Sequence, residues 1–205
     1  MIIIDAFPQN SPEWMQARLG NPGASNFHRI ITSKGARSKS RDSYLKDLAG
    51  EAITGRPVST HSSWKMEQGL LNEEESRSLY EFVYNVKIIQ VALCYPDEQK
   101  KYHCSPDGLM PELRKGFETK DATETPRIQI ERLESGRIES QHWIQCQGSL
   151  LVTGYDAWVY QSYCRGMRPL TIEVYPDAPF LKKLEEGLEA FCLELALLIK
   201  RLKED

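Results

Sequence analysis

The stretch "SPDGLMPELRKGFETKDA", residues 105–122, carries Pro-Asp-Gly ahead of a turn-rich run, then a glutamate and a lysine two apart. Phe117-Glu118-Thr119-Lys120 alternates with the period of a strand, which puts Glu118 and Lys120 on the same side of it. If Asp107 ends a neighbouring strand, three ionisable groups converge on one point. Such a cluster is either a structural ion-pair group or a metal-dependent site. Two carboxylates brought together away from water repel unless a cation lies between them. Mg2+ suits that position, because it takes one or two carboxylates and fills its remaining sites with water and phosphate oxygens. Against this stands a plain Glu–Lys surface pair, worth little.

Outward from that stretch, the chain reads as α/β. Its 205 residues, 40% hydrophobic and 27% charged, fit one globular domain over 1–205. "SPEWMQARLG" predicts a short helix with Ser11 as N-cap and Pro12 at its first position. A second helix is expected from Ser25 through Phe27, Ile30 and Ile31, then a loop over 33–41. Further helices are expected over 42–54, stopped by Gly55 and Pro57, and over 64–84. Strands are expected at 86–94, "KYHCS" and "GFETK", the last two flanking a 107–116 loop. A helix around 141–153, strands at 157–164 and 170–175, and a helix over 178–203 follow. In that last helix Phe180, Leu181, Leu184, Leu188, Phe191, Leu195 and Leu198 keep helical spacing. The expected architecture is a mixed central sheet with helices packed on it.

Net charge is −3, so bulk charge does not attract nucleic acid. Between Arg29 and Lys46, however, six basic residues, Lys34 and Arg37 among them, face one acid, Asp42. A local patch of this kind is able to bind phosphates whatever the total charge. The five cysteines are scattered, with no C-x-x-C, which argues against a disulfide framework, a zinc ribbon or an iron–sulfur cluster and suits a reducing cytoplasm. The opening Met-Ile-Ile-Ile-Asp lacks a basic n-region, and no stretch approaches ~18 apolar residues, so no membrane span is expected.

Three other segments bear on chemistry. On a helix, Met66, Leu70, Glu73, Arg77 and Tyr80 share a face, so Glu73 sits on a partly apolar stripe where an unpaired charge is costly; spacing alone does not choose among Glu73, Glu74 and Glu75. In "QHWIQCQGSLLVTG", Gln147 falls on the same stripe as Trp143, Leu150 and Leu151 and needs a buried partner. In "ARLGNPGAS", Arg18, a turn and a serine-capped helix could surround one anion, with the arginine offering a two-pronged donor.

"EWMQARLGNPGASNF", Gly69-x-x-x-Glu73 with "RSLYEF", "CSPDG", Glu118-Thr119-Lys120 and "QCQGSLLVTGYDAWVY" occur in an order that resembles the phage λ-type exonucleases. These are the viral recombinase, or YqaJ-like, branch of the PD-(D/E)XK nuclease superfamily. The resemblance implies a restriction-endonuclease-like core. It implies Asp107 and Glu118 as metal ligands helped by the Thr119 carbonyl, Lys120 as catalytic lysine, Glu73 as the helix carboxylate and Gln147 as the signature glutamine. Arg18, Ser25 and Ser105 match a pocket for a DNA 5′-phosphate, and Met66 an apolar contact to the unwinding duplex end. The implied activity is 5′-to-3′ digestion of linear double-stranded DNA with Mg2+, Mn2+ substituting, to leave 3′ overhangs. A ring-shaped homotrimer, a single-strand annealing partner and a phage or prophage origin in a bacterial cytoplasm are implied too. Two departures are Gly23, where relatives often have threonine, and the "PELRK" loop. A restriction-like endonuclease and a non-catalytic DNA-end-binding module are the rival readings.

Overall fold

The computed structural model describes residues 1–58 and 63–204, and for 63–70 the backbone only. A four-stranded mixed sheet holds its centre. β3 (Gly108–Met110) pairs antiparallel with β4 (Lys115–Asp121), β4 runs parallel to β5 (Ala157–Tyr163), and β5 pairs antiparallel with β6 (Leu170–Val174). A separate antiparallel pair joins β1 (Ile2–Ile4) to β2 (Leu93–Tyr95). β4 contains the expected strand "GFETK", while β3 lies within the stretch expected to be a loop, and the two form a hairpin. It closes through a 3-10 turn at Pro111–Leu113 and the left-handed Arg114, φ 51°. Parallel β4 and β5 require a crossover, supplied by α4 (Pro126–Ser135) and α5 (Ser140–Thr153).

The α5 side of the sheet holds the main core. Trp158 and Tyr160 of β5 meet Ile144, Cys146 and Leu150 of α5, and beyond these lies α6 (Ala178–Glu204). Phe180, Leu184, Leu188, Phe191 and Leu195 are buried there, while Leu181 and Leu198 pack at the margin. Phe191 stacks on Tyr44 of α2 (Arg41–Thr54), ring centres 5.6 Å apart. The opposite side is covered by α3 (Ser63–Tyr84), whose Tyr80 packs with Ile88, Met110, Phe117 and Val159.

Three expected elements differ. The segment 86–94 is not one strand. Ile89 makes a single bridge to Leu109, and only Leu93–Tyr95 forms a ladder, with β1. Its apolar residues serve two clusters: Ile88 lies beneath α3, whereas Leu93 and Tyr95 pack with Ile2, Ile4 and Trp14. "KYHCS" likewise makes isolated bridges only, His103 to Gly23 and Cys104 to Cys94. The expected helix at Ser25 is a 3-10 segment, Ala24–Arg29, entered from Gly23 with no side-chain cap. It ends early because the chain turns back at once, Thr32 N–H donating to Ala36 O and Gly35 adopting φ 79°.

Candidate active site

Alternation along β4 decides where each side chain goes. Phe117 and Thr119 face α3, and the Thr119 hydroxyl lies 2.6 Å from that of Ser76. Glu118 and Lys120 therefore face α5, and Lys120 Nζ donates to Glu118 Oε1 at 2.6 Å. Asp107 does not end a strand but leads into β3, opposite this point. Its Oδ2 accepts from the Thr119 N–H at 2.6 Å, and N–H and C=O of one strand residue point to the same edge. The Thr119 carbonyl thus faces the edge that Asp107 occupies.

The electrostatics of the cluster are unbalanced. Glu118 is 2% exposed and its Oε2 has no hydrogen-bond partner among the described residues. Burial, then the charges of Glu118 and Glu73, pushes the Asp107 carboxyl well above its ordinary range. Glu73, on α3, is also raised, by burial and by Glu118, against the opposing effect of Arg77. Burial draws the Lys120 ammonium down, but Glu118 and Asp107 more than offset it, so it stays charged. Arg77 ties the acids together, donating to Glu73 Oε1 at 3.2 Å and to the Asp107 carbonyl at 2.8 Å.

Among the described residues no three of His, Cys, Asp and Glu stand close enough to enclose a metal by themselves. What the cluster offers is an unsatisfied carboxylate oxygen, a second carboxylate beside it and a backbone carbonyl. That set suits a hard cation whose other positions are water or substrate, rather than a closed protein cage.

The cluster opens into a cleft of about 200 Å³. Gln9, Trp14, Arg18, Ser25, His103 and Ser105 line its far side. Trp14 and Arg18 are four apart on α1 (Pro12–Arg18), which starts as expected, the Ser11 hydroxyl accepting from Trp14 N–H. The Arg18 guanidinium carbon lies 3.9 Å from the Trp14 ring centre. Trp14 Nε1–H is fixed by the Ala92 carbonyl and the Ser105 hydroxyl. Ser105 donates in turn to Ala92 O at 2.8 Å. Among the described residues Arg18 has no carboxylate within ion-pair distance, so a charged donor faces the cleft without an anion of its own.

A model of the YqaJ-like viral recombinase domain matches residues 13–156. The chain belongs to the YqaJ-like viral recombinase family. An alkaline exonuclease from Laribacter hongkongensis has a similar structure, with TM-score 0.83 at 23% identity over 95% of this chain and 97% of that one. A structure of that exonuclease in complex with dAMP matches equally, at 24% identity and the same coverage. A phage-related exonuclease from Haemophilus somnus 129PT matches at TM-score 0.67 and 15% identity, over 89% of this chain and 96% of that one. No curated protein matches the chain. The fold is accordingly that of the PD-(D/E)XK nucleases.

Of the residues expected at a YqaJ-like site, Glu73, Asp107, Glu118, Lys120, Arg18, Ser25 and Ser105 share the cleft. Glu74 is exposed, and Glu75 pairs with Arg165. Gln147 is not at the site. Its Nε2 donates to Tyr175 O at 2.7 Å and its Oε1 accepts from Asp177 N–H at 3.0 Å, clamping the turn into α6. The cleft receives Gln145 instead, with Ser149 one turn on. Two residues along a helix turn the side chain by about 200°, so the two glutamines face opposite ways. Lys34 and Arg37 also stand away from the cleft lining, and Arg37 pairs with Asp42 in the open. Met66 lies outside the described residues as regards its side chain. Trp14, His103 and Gln145 line the cleft in addition to the expected residues. The i, i+4 spacing of Trp14 from Arg18, and the polarity of Gln145 within a buried helix, are the signals that mark two of them.

Proposed function

We propose that the protein is a metal-dependent deoxyribonuclease that digests one strand of linear double-stranded DNA from its 5′ end, leaving 3′ single-stranded overhangs. The observation that carries this reading is the buried Glu118 Oε2, without a hydrogen-bond partner among the described residues, beside Asp107 and Lys120 in a cleft that also holds an arginine with no carboxylate partner among them. Asp107, Glu118 and the Thr119 carbonyl are the groups that would hold Mg2+, or Mn2+ in its place. When bound, the ion supplies Lewis-acid activation of water and neutralises charge at the scissile phosphate. Lys120 keeps its proton, orients Glu118 and offsets the negative charge that grows on the phosphoryl oxygens. Glu73, with its raised pKa, is suited to taking a proton from the attacking water. Arg18, Ser25 and Ser105 hold the terminal phosphate at the other end of the cleft. Membership of a viral recombinase family supports a role in recombination, with a ring-shaped homotrimer around DNA and a single-strand annealing protein as partner. Among the described residues no helix is long and apolar enough to cross a membrane.

The test is digestion of linear duplex labelled at the 5′ or the 3′ end, with Mg2+ or with EDTA. The reading expects early release of the 5′ label, in Mg2+ only, and no attack on closed circular duplex. Cutting of closed circles would favour an endonuclease, and no release from either end would leave an end-binding protein.

A further inference from the structure

The residue that holds Arg18 in place is a histidine with no other evident use. His103 is 1% exposed, and its Nε2 lies 3.3 Å from Arg18 Nε. A guanidinium only donates, so Nε2 is the acceptor and the ring proton sits on Nδ1, which has no partner among the described residues. Arg18 is thus gripped on two sides, by the Trp14 ring and by His103 at its inner N–H. Its two terminal amino groups make no hydrogen bond among the described residues, and Arg18 lines the cleft.

The same ring accounts for Gly23. That glycine is extended, φ −104°, so conformation does not demand it. Space does: a Cβ at position 23 would lie 2.9 Å from His103 Nε2 and 3.2 Å from Cε1. The backbones are locked together there, Ala24 N–H donating to His103 O and His103 N–H to Pro22 O, so neither strand is free to retreat. Position 23 is empty because position 103 is filled.

We propose that His103 is the positioning residue for Arg18, accepting its Nε–H so that both terminal amino groups are presented to the 5′-phosphate of the DNA end, with Gly23 as the space this arrangement requires. The proposal rests on the reading of the cleft as a DNA-end site, and it concerns binding rather than the cut. Burial, with the Arg18 charge, keeps the imidazole neutral down to about pH 3, so the acceptor is present at any working pH.

The experiment measures binding with cleavage switched off. A fluorescent hairpin duplex with one blunt end, bearing either a 5′-phosphate or a 5′-hydroxyl, is titrated in EDTA with the full-length protein. Wild type is expected to prefer the phosphorylated end by about tenfold, the worth of one charged hydrogen-bonded contact. His103→Phe keeps the ring but removes the acceptor, and should bring that ratio close to one while leaving affinity for the hydroxyl end unchanged. His103→Gln, which retains an acceptor, should recover most of it. Gly23→Ala removes no polar group, yet should lower the ratio by displacing the ring. A folded His103→Phe protein with the wild-type ratio overturns the proposal. If that variant does not fold, an unchanged ratio in Gly23→Ala overturns it, as does a wild-type protein indifferent to the phosphate. Loss of nuclease activity alone leaves these binding ratios untouched, so the two readings fail separately.

Discussion

Lys120 Nζ donates to Glu118 Oε1 at 2.6 Å, while the other oxygen of that carboxylate lies buried with no partner among the described residues. Lys120 therefore satisfies one of the two Glu118 oxygens. With Arg77 paired to Glu73, the cluster of three acids still carries one negative charge more than its two cations when all are ionised. The consequence is a site destabilised by its own acids whenever no cation is bound.

The first prediction is a pH dependence of stability with an unusual sign for carboxylates. Asp107 and Glu73 are raised above their ordinary values of 3.8 and 4.5. Within the window from those values up to the raised ones, the folded state binds more protons than the unfolded state, so stability falls as pH rises. In EDTA the melting temperature should therefore drop as pH rises above the ordinary carboxylate range. Asp107→Asn should flatten most of that slope. Mg2+ at a hundredfold its Kd should restore about 2.7 kcal/mol at pH 8. Differential scanning calorimetry with and without the metal reads all three.

Removing the same groups should separate cutting from holding. Asp107→Ala, Glu118→Ala and Lys120→Ala are each expected to lower nucleotide release by a hundredfold or more, on the order of a lost charge-stabilising group. Affinity for a duplex end should change little, because the anion side of the cleft is built from other elements. A carboxylate variant digesting at the wild-type rate in Mg2+ would remove the site from this cluster.

The two glutamines of α5 give the third prediction. Gln147→Ala strips partners from Tyr175 O and Asp177 N–H and should cost about 1–3 kcal/mol of stability, with activity per folded molecule unchanged. Gln145→Ala should do the reverse, leaving the melting temperature within a degree or two and slowing digestion on the order of tenfold or more. Equal behaviour of the two variants in paired melting and rate measurements would contradict the geometry.

That pair also shows where the sequence is legible and where it is not. Glu118 and Lys120 are readable because strand alternation assigns both to one side. The choice between Gln145 and Gln147 depends on which face of a helix buried all round meets the sheet end, and periodicity is silent where both faces are covered. The helix Pro126–Ser135 is unread for a related reason. Its buried residues are Gln129 and Arg132, held by Ser162 and Glu139, so it shows no apolar stripe. Segment 86–94 looks like a strand because it is apolar, yet its residues are divided between two clusters. Gly23 is opaque in sequence, since the group it makes room for lies 80 residues on.

The assembly prediction follows from family membership. Light scattering at micromolar concentration should give about three times the 23.5 kDa chain mass, the mass of a ring able to retain DNA through many cuts. A monomer that still digested long tracts per encounter would show that retention has another source.

The last prediction is that the enzyme reads the 5′-phosphate in the rate as well as in binding, and that Arg18 is the reader. Arg18 lies against Trp14, has no carboxylate partner among the described residues, and shares one cleft with Asp107 and Glu118. Ser105 joins the two ends of that cleft, since it bonds Trp14 through its hydroxyl and stands two residues before Asp107. A phosphate held by Arg18 keeps the strand end in register with the acids, and each cut then exposes a fresh 5′-phosphate for the same grip. Linear duplex with 5′-phosphate ends should accordingly be digested faster than the same duplex with 5′-hydroxyl ends. A charge-assisted contact of about 1.5–3 kcal/mol corresponds to roughly ten- to a hundredfold if fully expressed in the rate. The difference should be largest in the first turnover, because every later end is phosphorylated by the reaction itself. Arg18→Ala should slow digestion of phosphorylated ends towards the hydroxyl rate and remove the first-turnover lag on hydroxyl ends. Rapid-quench measurement of the first released nucleotide distinguishes these outcomes, and equal first-turnover rates on both ends in the wild-type enzyme would exclude a phosphate grip at Arg18.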